Sequence, residues 1–447
     1  MSRGASLSER SPLWLMLGAL AGSVAIGWLA STRPLWVLIG VAGLIGAVGF
    51  TQLKSAWLML FTIGIHFDDL FVPLGFAKVG YGDFALGILL AYWLLIRFQR
   101  STMTQIPDAW PLVVTYTVGV GISWLLGPAP ELITGLFVRN TLYVVGYFAL
   151  VDLMNSEREI SLFLRGILIS VIAHSLVAVI FMSPNARVDG LVGQPNIFGG
   201  LIGPGAIIAL IFASRQDLQG WLRLALLVSG AFITFVLILT VSRGAQLAFF
   251  CAIFWVYRSR WRSIALAALV GVIVFQLIMV FDPDRLSYLF ERWALEDGSV
   301  STRQGIIWNA LKVIAEYPMF GVGFAQFTHL EEVMRLDIGH GRASHNHYLG
   351  ELATIGIPSA LAIFAFVAFQ GKLLWRVTAA AQRLASKRPE WSRAYLYLVI
   401  LQGLFIFQSV TLVFRGGRRM IEWGFLALYT ATALVYQKRI ALDQEKE

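Results

Sequence analysis

Arg303-Gln304-Gly305-Ile306-Ile307-Trp308, then Phe320-Gly321-Val322-Gly323-Phe324, then Ser344-His345-Asn346-His347-Tyr348-Leu349 mark out a polar island between two apolar blocks. Three of the six histidines fall between His340 and His347. Ser344 reads as a helix N-cap, with Leu349, Leu352, Ile355 and Leu361 as the buried side of the helix that follows. That reading sets His345 on the first turn of a membrane helix, at the water boundary. Chemistry is expected there.

Working outward, the rest of the chain is apolar. Over 447 residues, 57% are hydrophobic and only 14% charged. This excludes a globular enzyme on a single anchor and predicts an all-α, polytopic membrane protein. Hydropathy places spans near 12–30, 34–53, 55–72, 82–96, 109–126, 132–152 and 160–182. Further spans fall near 196–213, 222–241, 244–258, 262–281, 346–370, 393–413 and 419–436, so the expectation is about 12–14 transmembrane helices. Those at 82–96 and 244–258 are short, which leaves tilted, re-entrant or wrongly split segments open. The first span follows Arg3 and Arg10 without a small-x-small cleavage site, so it reads as uncleaved. Gly18-x-x-x-Gly22 and Gly199-x-x-x-Gly203 read as sites of close helix packing.

Charge orients the array. Arg97, Arg100, Arg158, Arg215, Arg223, Arg258 to Arg262, Lys372 to Arg393 and Lys438-Arg439 all fall on the N-terminal side, which the positive-inside rule makes cytoplasmic. Both termini are then cytoplasmic, and a large loop at 282–345 faces outside, into a periplasm or its equivalent. The chain divides into N-terminal helices (1–281), this loop with its short helices (282–345), and C-terminal helices (346–447). A connection of that length is usually functional. The net charge of +9 belongs to cytoplasmic loops and gives no reason to expect nucleic acid. A lone Cys251 supports neither a disulfide framework nor a cysteine metal site.

The informative charges break this pattern. Arg243 interrupts an apolar stretch from Leu222 to Val256, at a cost of several kcal/mol unless it is paired or faces a wet cavity. Arg187, Arg303, Arg342, Arg415, Arg418 and Arg419 also fall on the outer side, and arginine suits bidentate phosphate binding. For Arg243 an ion pair inside the bundle is the plain alternative. For Arg415, Arg418 and Arg419 it is an inverted loop. Asn196 reads either as an N-cap or as a polar group lining the same cavity as Arg243.

His340, His345 and His347 also admit a zinc site with Asp337 or His329. Against it, an i, i+2 pair on a helix diverges, and no cysteine or His-Glu-x-x-His pattern is present, so no metal is expected. His66 and His174, inside apolar runs, read as packed or hydrogen-bonded. For His345, a helix N-terminus favours the neutral imidazole, able to accept a proton, and the same terminus attracts phosphate. Transfer from a lipid pyrophosphate to a hydroxyl fits those two properties.

The spacing Arg303-x-x-x-x-Trp308, Tyr317-Pro318-Met319-Phe320-Gly321-Val322-Gly323-Phe324 and His345-Asn346-x-Tyr348-Leu349 resembles the O-antigen ligase and polymerase superfamily. The likeness covers roughly 240–365, including Ser242-Arg243-Gly244. It implies a GT-C-like fold acting on an undecaprenyl-pyrophosphate-linked glycan donor without metal or other cofactor. On that likeness His345 is the catalytic residue and Arg243 and Arg303 bind the donor pyrophosphate. Arg187, Asn196, Arg342 and His347 are further cavity-lining candidates, and His347 is not part of that mapping. Within the superfamily the expectation is the O-antigen ligase of lipopolysaccharide biosynthesis, with lipid A–core as acceptor. A polymerase and a protein O-oligosaccharyltransferase are the alternatives, the second disfavoured by the short C-terminal segment. A lipid-linked sugar transporter would need mid-membrane ionisable pairs or repeated halves, and the sequence displays neither.

Overall fold

The computed structural model describes residues 54–67, 71–73, 78–99, 107–128, 130–182, 187–215, 217–258, 299–325, 346–414 and 419–445. The described part opens with a helix over 54–66 (α1) and a short antiparallel ribbon of Phe71–Pro73 (β1) and Lys78–Gly80 (β2). Helices follow as α2 (Tyr81–Gln99), α3 (Trp110–Leu126), α4 (Pro130–Leu153), α5 (Glu157–Ile180) and α6 (Pro195–Ala213). The remainder are α7 (Gly220–Leu239), α8 (Arg243–Tyr257), α9 (Ser299–Glu316), α10 (His347–Ala385), α11 (Ser392–Phe414) and α12 (Arg419–Gln444). Among the described residues, 7 helices are long and apolar enough to cross a membrane, with α3 and α8 as shorter apolar helices. The protein is a helical, polytopic membrane protein.

The expected spans from 82–96 to 244–258, and that at 393–413, match α2 to α8 and α11 within a few residues. The short span at 82–96 is a full helix of 19 residues. That at 244–258 is a separate helix, correctly split from its neighbour. The expected spans 12–30, 34–53 and 262–281 lie outside the described residues. One expectation fails: the span at 55–72 stops at 66, and Phe71–Pro73 pairs as a strand with Lys78–Gly80. Asp68-Asp69 interrupts the apolar run there, a cost the hydropathy average had absorbed.

The helix ends separate by charge. At one end Lys54 meets Glu159 at 3.1 Å, Arg439 meets Glu157 at 3.2 Å, and Arg388 meets Asp443 at 3.3 Å. Arg97 pairs with Asp152 and Arg215 with Asp217 at the same end. Arg97, Arg215, Arg388 and Arg439 are among the basic groups expected to face one side. Glycines then let helices touch. A Cβ at Gly203 would fall 2.2 Å from the Phe407 ring and one at Gly199 3.0 Å from Ala245 Cβ, as the small-residue spacing predicts. Leu224, Leu227, Val228 and Phe235 of α7 stay exposed while Ile233 and Val236 are buried, the pattern of a helix facing lipid on one side.

Helix α10 departs most from expectation. It runs for 39 residues, not the 25 of the expected span at 346–370, and it breaks at Gly356, where φ is 77° and ψ 166°. Pro358 removes one helical donor two residues on. The carbonyls freed by the break are taken from outside. Val322 N donates to Ala353 O at 3.0 Å and Gly323 N to Thr354 O at 3.1 Å. Ser123 Oγ also donates to Thr354 O at 2.7 Å. Ile357 N turns away to Pro318 O at 2.8 Å. The Pro318–Gly323 loop is therefore clasped to the middle of α10, and Ile306, Ala310 and Val313 of α9 pack with Val322 and Ala353 beside it.

Two details of the expected helix start are corrected. The N-cap is Asn346, whose side chain accepts from Leu349 N at 3.1 Å, not Ser344. The helix begins at His347, so His345 precedes the cap and is not on the first turn. Leu361 is 54% exposed instead of buried, because the break at Gly356 turns the helical stripe; Ile355 is fully buried.

Candidate functional site

The end of the bundle opposite those ion pairs holds the polar groups singled out in the sequence. Between α7 and α8 the chain is non-helical over Thr240, Val241 and Ser242, and Val241 has φ 51°. A positive φ on a β-branched residue is strained and needs support from its surroundings. Arg187 supplies it. Its Nε donates to Thr240 O at 2.8 Å, and one terminal nitrogen donates to Val241 O at 3.2 Å and to Asn196 Oδ1 at 3.1 Å. A cation against the last carbonyls of α7 also complements the helix dipole.

The segment bearing Arg187 is itself anchored. Val188 N donates to Leu239 O at 3.2 Å. His174 Nε2 accepts from Leu191 N at 3.3 Å, with its ring stacked 5.0 Å from Phe67 and tilted 4.9 Å from Phe198. His66 places Nδ1 2.8 Å from Thr62 O. Both histidines are buried and hydrogen-bonded, as their apolar context predicts.

Asn196 is not the N-cap of α6. Gln194 holds that position, Pro195 opens the helix, and Asn196 sits inside the first turn, where it accepts from Arg187. Gly199 lets this helix start close on Thr240, Ser242 and Ala245. Arg243, half-buried, is the first residue of α8. The structure thus gathers Arg187, Asn196 and Arg243 around two adjoining helix N-termini, an arrangement suited to an anion.

A second cluster stands at the same end. His347 Nδ1 lies 3.7 Å from Glu351 Oε1 and its Nε2 lies 3.5 Å from Glu422 Oε2. These carboxylate side chains are only 4% and 13% exposed. They head a cleft between α10, α11 and α12, with Tyr116, Phe364, Phe405, Trp423 and Tyr429 in its walls. Tyr348 closes one side by donating to Ser409 O at 3.1 Å. Sequence reasoning missed both glutamates. A carboxylate inside an apolar segment is as informative as an arginine there, and the same rule would have found them.

The two clusters adjoin through α11. Ser409 and Leu412 line the cleft, while a Cβ on Gly244 would lie 2.4 Å from Phe414 Cβ. Arg303 falls on α9, but its side chain is outside the described set, as are His345 and Arg342. His329, Asp337 and His340 of the zinc reading lie there too. Among the described residues, no three His, Cys, Asp or Glu side chains are grouped to hold a metal ion.

Residues 224–364 match the family model described as O-antigen ligase. This segment is similar to the O-antigen ligase and polymerase superfamily. It runs from α7 through the α8–α9 region to the first half of α10, so it includes Arg243, Arg303, His345, His347 and Glu351. Arg187, Asn196 and Glu422 lie outside the matched segment. No curated protein matches the chain. Members of this superfamily are glycosyltransferase-like membrane enzymes acting on lipid-linked glycans.

Proposed function

We propose that the protein is an O-antigen ligase of the bacterial inner membrane. It moves O-antigen polysaccharide from undecaprenyl pyrophosphate to a sugar hydroxyl of lipid A–core, on the periplasmic side. The observation that supports this reading best is the gathering of Arg187, Asn196 and Arg243 at one end of the bundle, with Arg243 inside the segment that matches an O-antigen ligase family model. Arg243 and Arg303 hold the donor pyrophosphate and offset the charge that develops as it leaves. Arg187 holds the break that presents Arg243. His345 takes the proton of the acceptor hydroxyl as its oxygen attacks the anomeric carbon, inverting that centre.

Reconstitution tests this directly. Purified protein in liposomes is given the pyrophosphate-linked donor with either lipid A–core or further lipid-linked repeats. Glycan appearing on lipid A–core supports the ligase; chain growth on the lipid-linked repeat supports a polymerase instead. Movement of donor across the bilayer without covalent transfer would leave only a transporter. In the same assay His345→Ala should insert normally yet transfer about 10²–10⁴-fold more slowly. Wild-type activity should rise with pH as the imidazole loses its proton. Activity abolished by a chelator and restored by zinc would replace the general base with a metal site.

A further inference from the structure

The cleft below His347 plays no part in the mechanism above, yet it combines features seldom found inside a membrane bundle. Its mouth carries two carboxylates on either side of His347, Glu351 buried and Glu422 partly buried. Buried polar groups are normally partnered. Among the described residues Glu422 Oε1 and the Tyr429 hydroxyl have no hydrogen-bond partner, although Tyr429 is only 2% exposed. Both residues line the cleft. A ligand that satisfies them must donate to a carboxylate and exchange a hydrogen bond with a phenol. The walls add Tyr116, Phe405 and Trp423, flat faces against which the C–H side of a ring can lie. Carboxylates repel phosphate, so the anionic part of the donor is directed to the arginines beyond Phe414.

We propose that this cleft is the acceptor-sugar subsite, where ring hydroxyls donate to Glu351 and Glu422 and an apolar sugar face packs on the aromatic walls. The proposal rests on the transferase reading and assigns the second substrate its place in it. His347 then serves as a positioning residue that holds the two carboxylates apart and aimed at the mouth. Separating acid from base across α11 keeps the nucleophile's sugar and the leaving pyrophosphate on opposite sides of the reacting centre.

Calorimetric titration of the purified full chain in detergent tests this without any transfer step. The probes are core oligosaccharide freed from lipopolysaccharide lacking O-antigen, deacylated repeat-unit oligosaccharide, and inorganic pyrophosphate. Wild type should bind one of the oligosaccharides saturably. Glu422→Gln keeps the side chain's shape but loses its charge, and should weaken that binding about tenfold or more. Tyr429→Phe, which removes a single oxygen, should weaken it severalfold. Pyrophosphate binding should be unchanged in both variants and impaired in Arg243→Lys, which in turn should bind oligosaccharide normally. In transfer assays Glu422→Gln should raise KM for the acceptor and leave KM for the donor alone. Wild-type affinity for oligosaccharide in both variants, or no oligosaccharide binding by wild type, would overturn the subsite. Failure of wild type to transfer glycan to any acceptor would instead overturn the enzyme reading, whatever the titrations show.

Discussion

At the scale of single residues, the two arginines that flank the α7–α8 break carry different duties, and conservative substitution separates them. Arg187 spends its Nε and one terminal nitrogen on Thr240 O, Val241 O and Asn196 Oδ1. Lysine cannot span those three acceptors. Arg187→Lys should therefore lower the thermal unfolding midpoint as well as transfer. Arg243 begins a helix and is half-buried, so Arg243→Lys should leave the midpoint within a degree or two. Transfer should nonetheless fall on the order of tenfold to a hundredfold, the loss of about 1.5–3 kcal/mol from a bidentate charged contact. Full activity in Arg243→Ala at normal protein level would sink the phosphate role. Arg243 was legible in the sequence because a charge inside an apolar stretch is costly and therefore meaningful. The partners of Arg187 were not, because the carbonyls it caps belong to a helix end far along the chain. The glutamates were legible by the rule applied to Arg243, and were missed because attention went to phosphate-binding cations.

At the scale of elements, the glycine-rich Phe320-Gly321-Val322-Gly323-Phe324 stretch stood out in sequence without a visible purpose. Its purpose is geometric: its amides replace those withdrawn from α10 by Gly356 and Pro358. Hydropathy read 346–370 as one continuous span because apolar composition carries no record of where a helix breaks. A non-helical glycine followed by proline was the available signal. The clasp is tight enough to test. A Cβ on Gly356 would lie 2.3 Å from Met319 O, and the backbone there has φ 77° and ψ 166°, a region essentially closed to other residues. Gly356→Ala should cost at least about 1–3 kcal/mol from backbone strain alone, before the clash. Gly321→Ala should behave alike, since φ is 67° and a Cβ would fall 2.4 Å from Thr354 C. Gly305, within α9, has nothing within 4 Å of its would-be Cβ. Gly305→Ala should leave the unfolding midpoint equal or higher, since alanine is the better helix former by about 0.5–1 kcal/mol. Equal midpoints for all three variants would show that the clasp does not hold α10.

At the scale of the whole molecule, the question is which end of the bundle meets which side of the membrane. The helical, many-span architecture followed from composition, and the division of charge between the two ends followed from counting lysine and arginine along the chain. Chain alternation in the structure agrees: α10 and α12 both start at the end where α11 finishes, the end that holds Arg187, Arg243, His347 and Glu422. The side chains of Arg415, Arg418 and Arg419, which the sequence left open between an outer loop and an inverted one, lie outside the described residues. The other end gathers Lys54, Arg97, Arg388 and Arg439. If the positive-inside rule holds, the second end is cytoplasmic and the site is periplasmic. Single cysteines decide it. Cys251 is the only native cysteine, so its replacement by serine gives a clean background. Lys312→Cys on α9 and Lys387→Cys after α10 are both exposed positions at opposite ends of the bundle. In intact spheroplasts a membrane-impermeant maleimide should label Lys312→Cys, and should reach Lys387→Cys only after the membrane is opened. The reverse pattern would turn the bundle over, put the arginines and the cleft in the cytoplasm, and rule out ligation to lipid A–core on the periplasmic face.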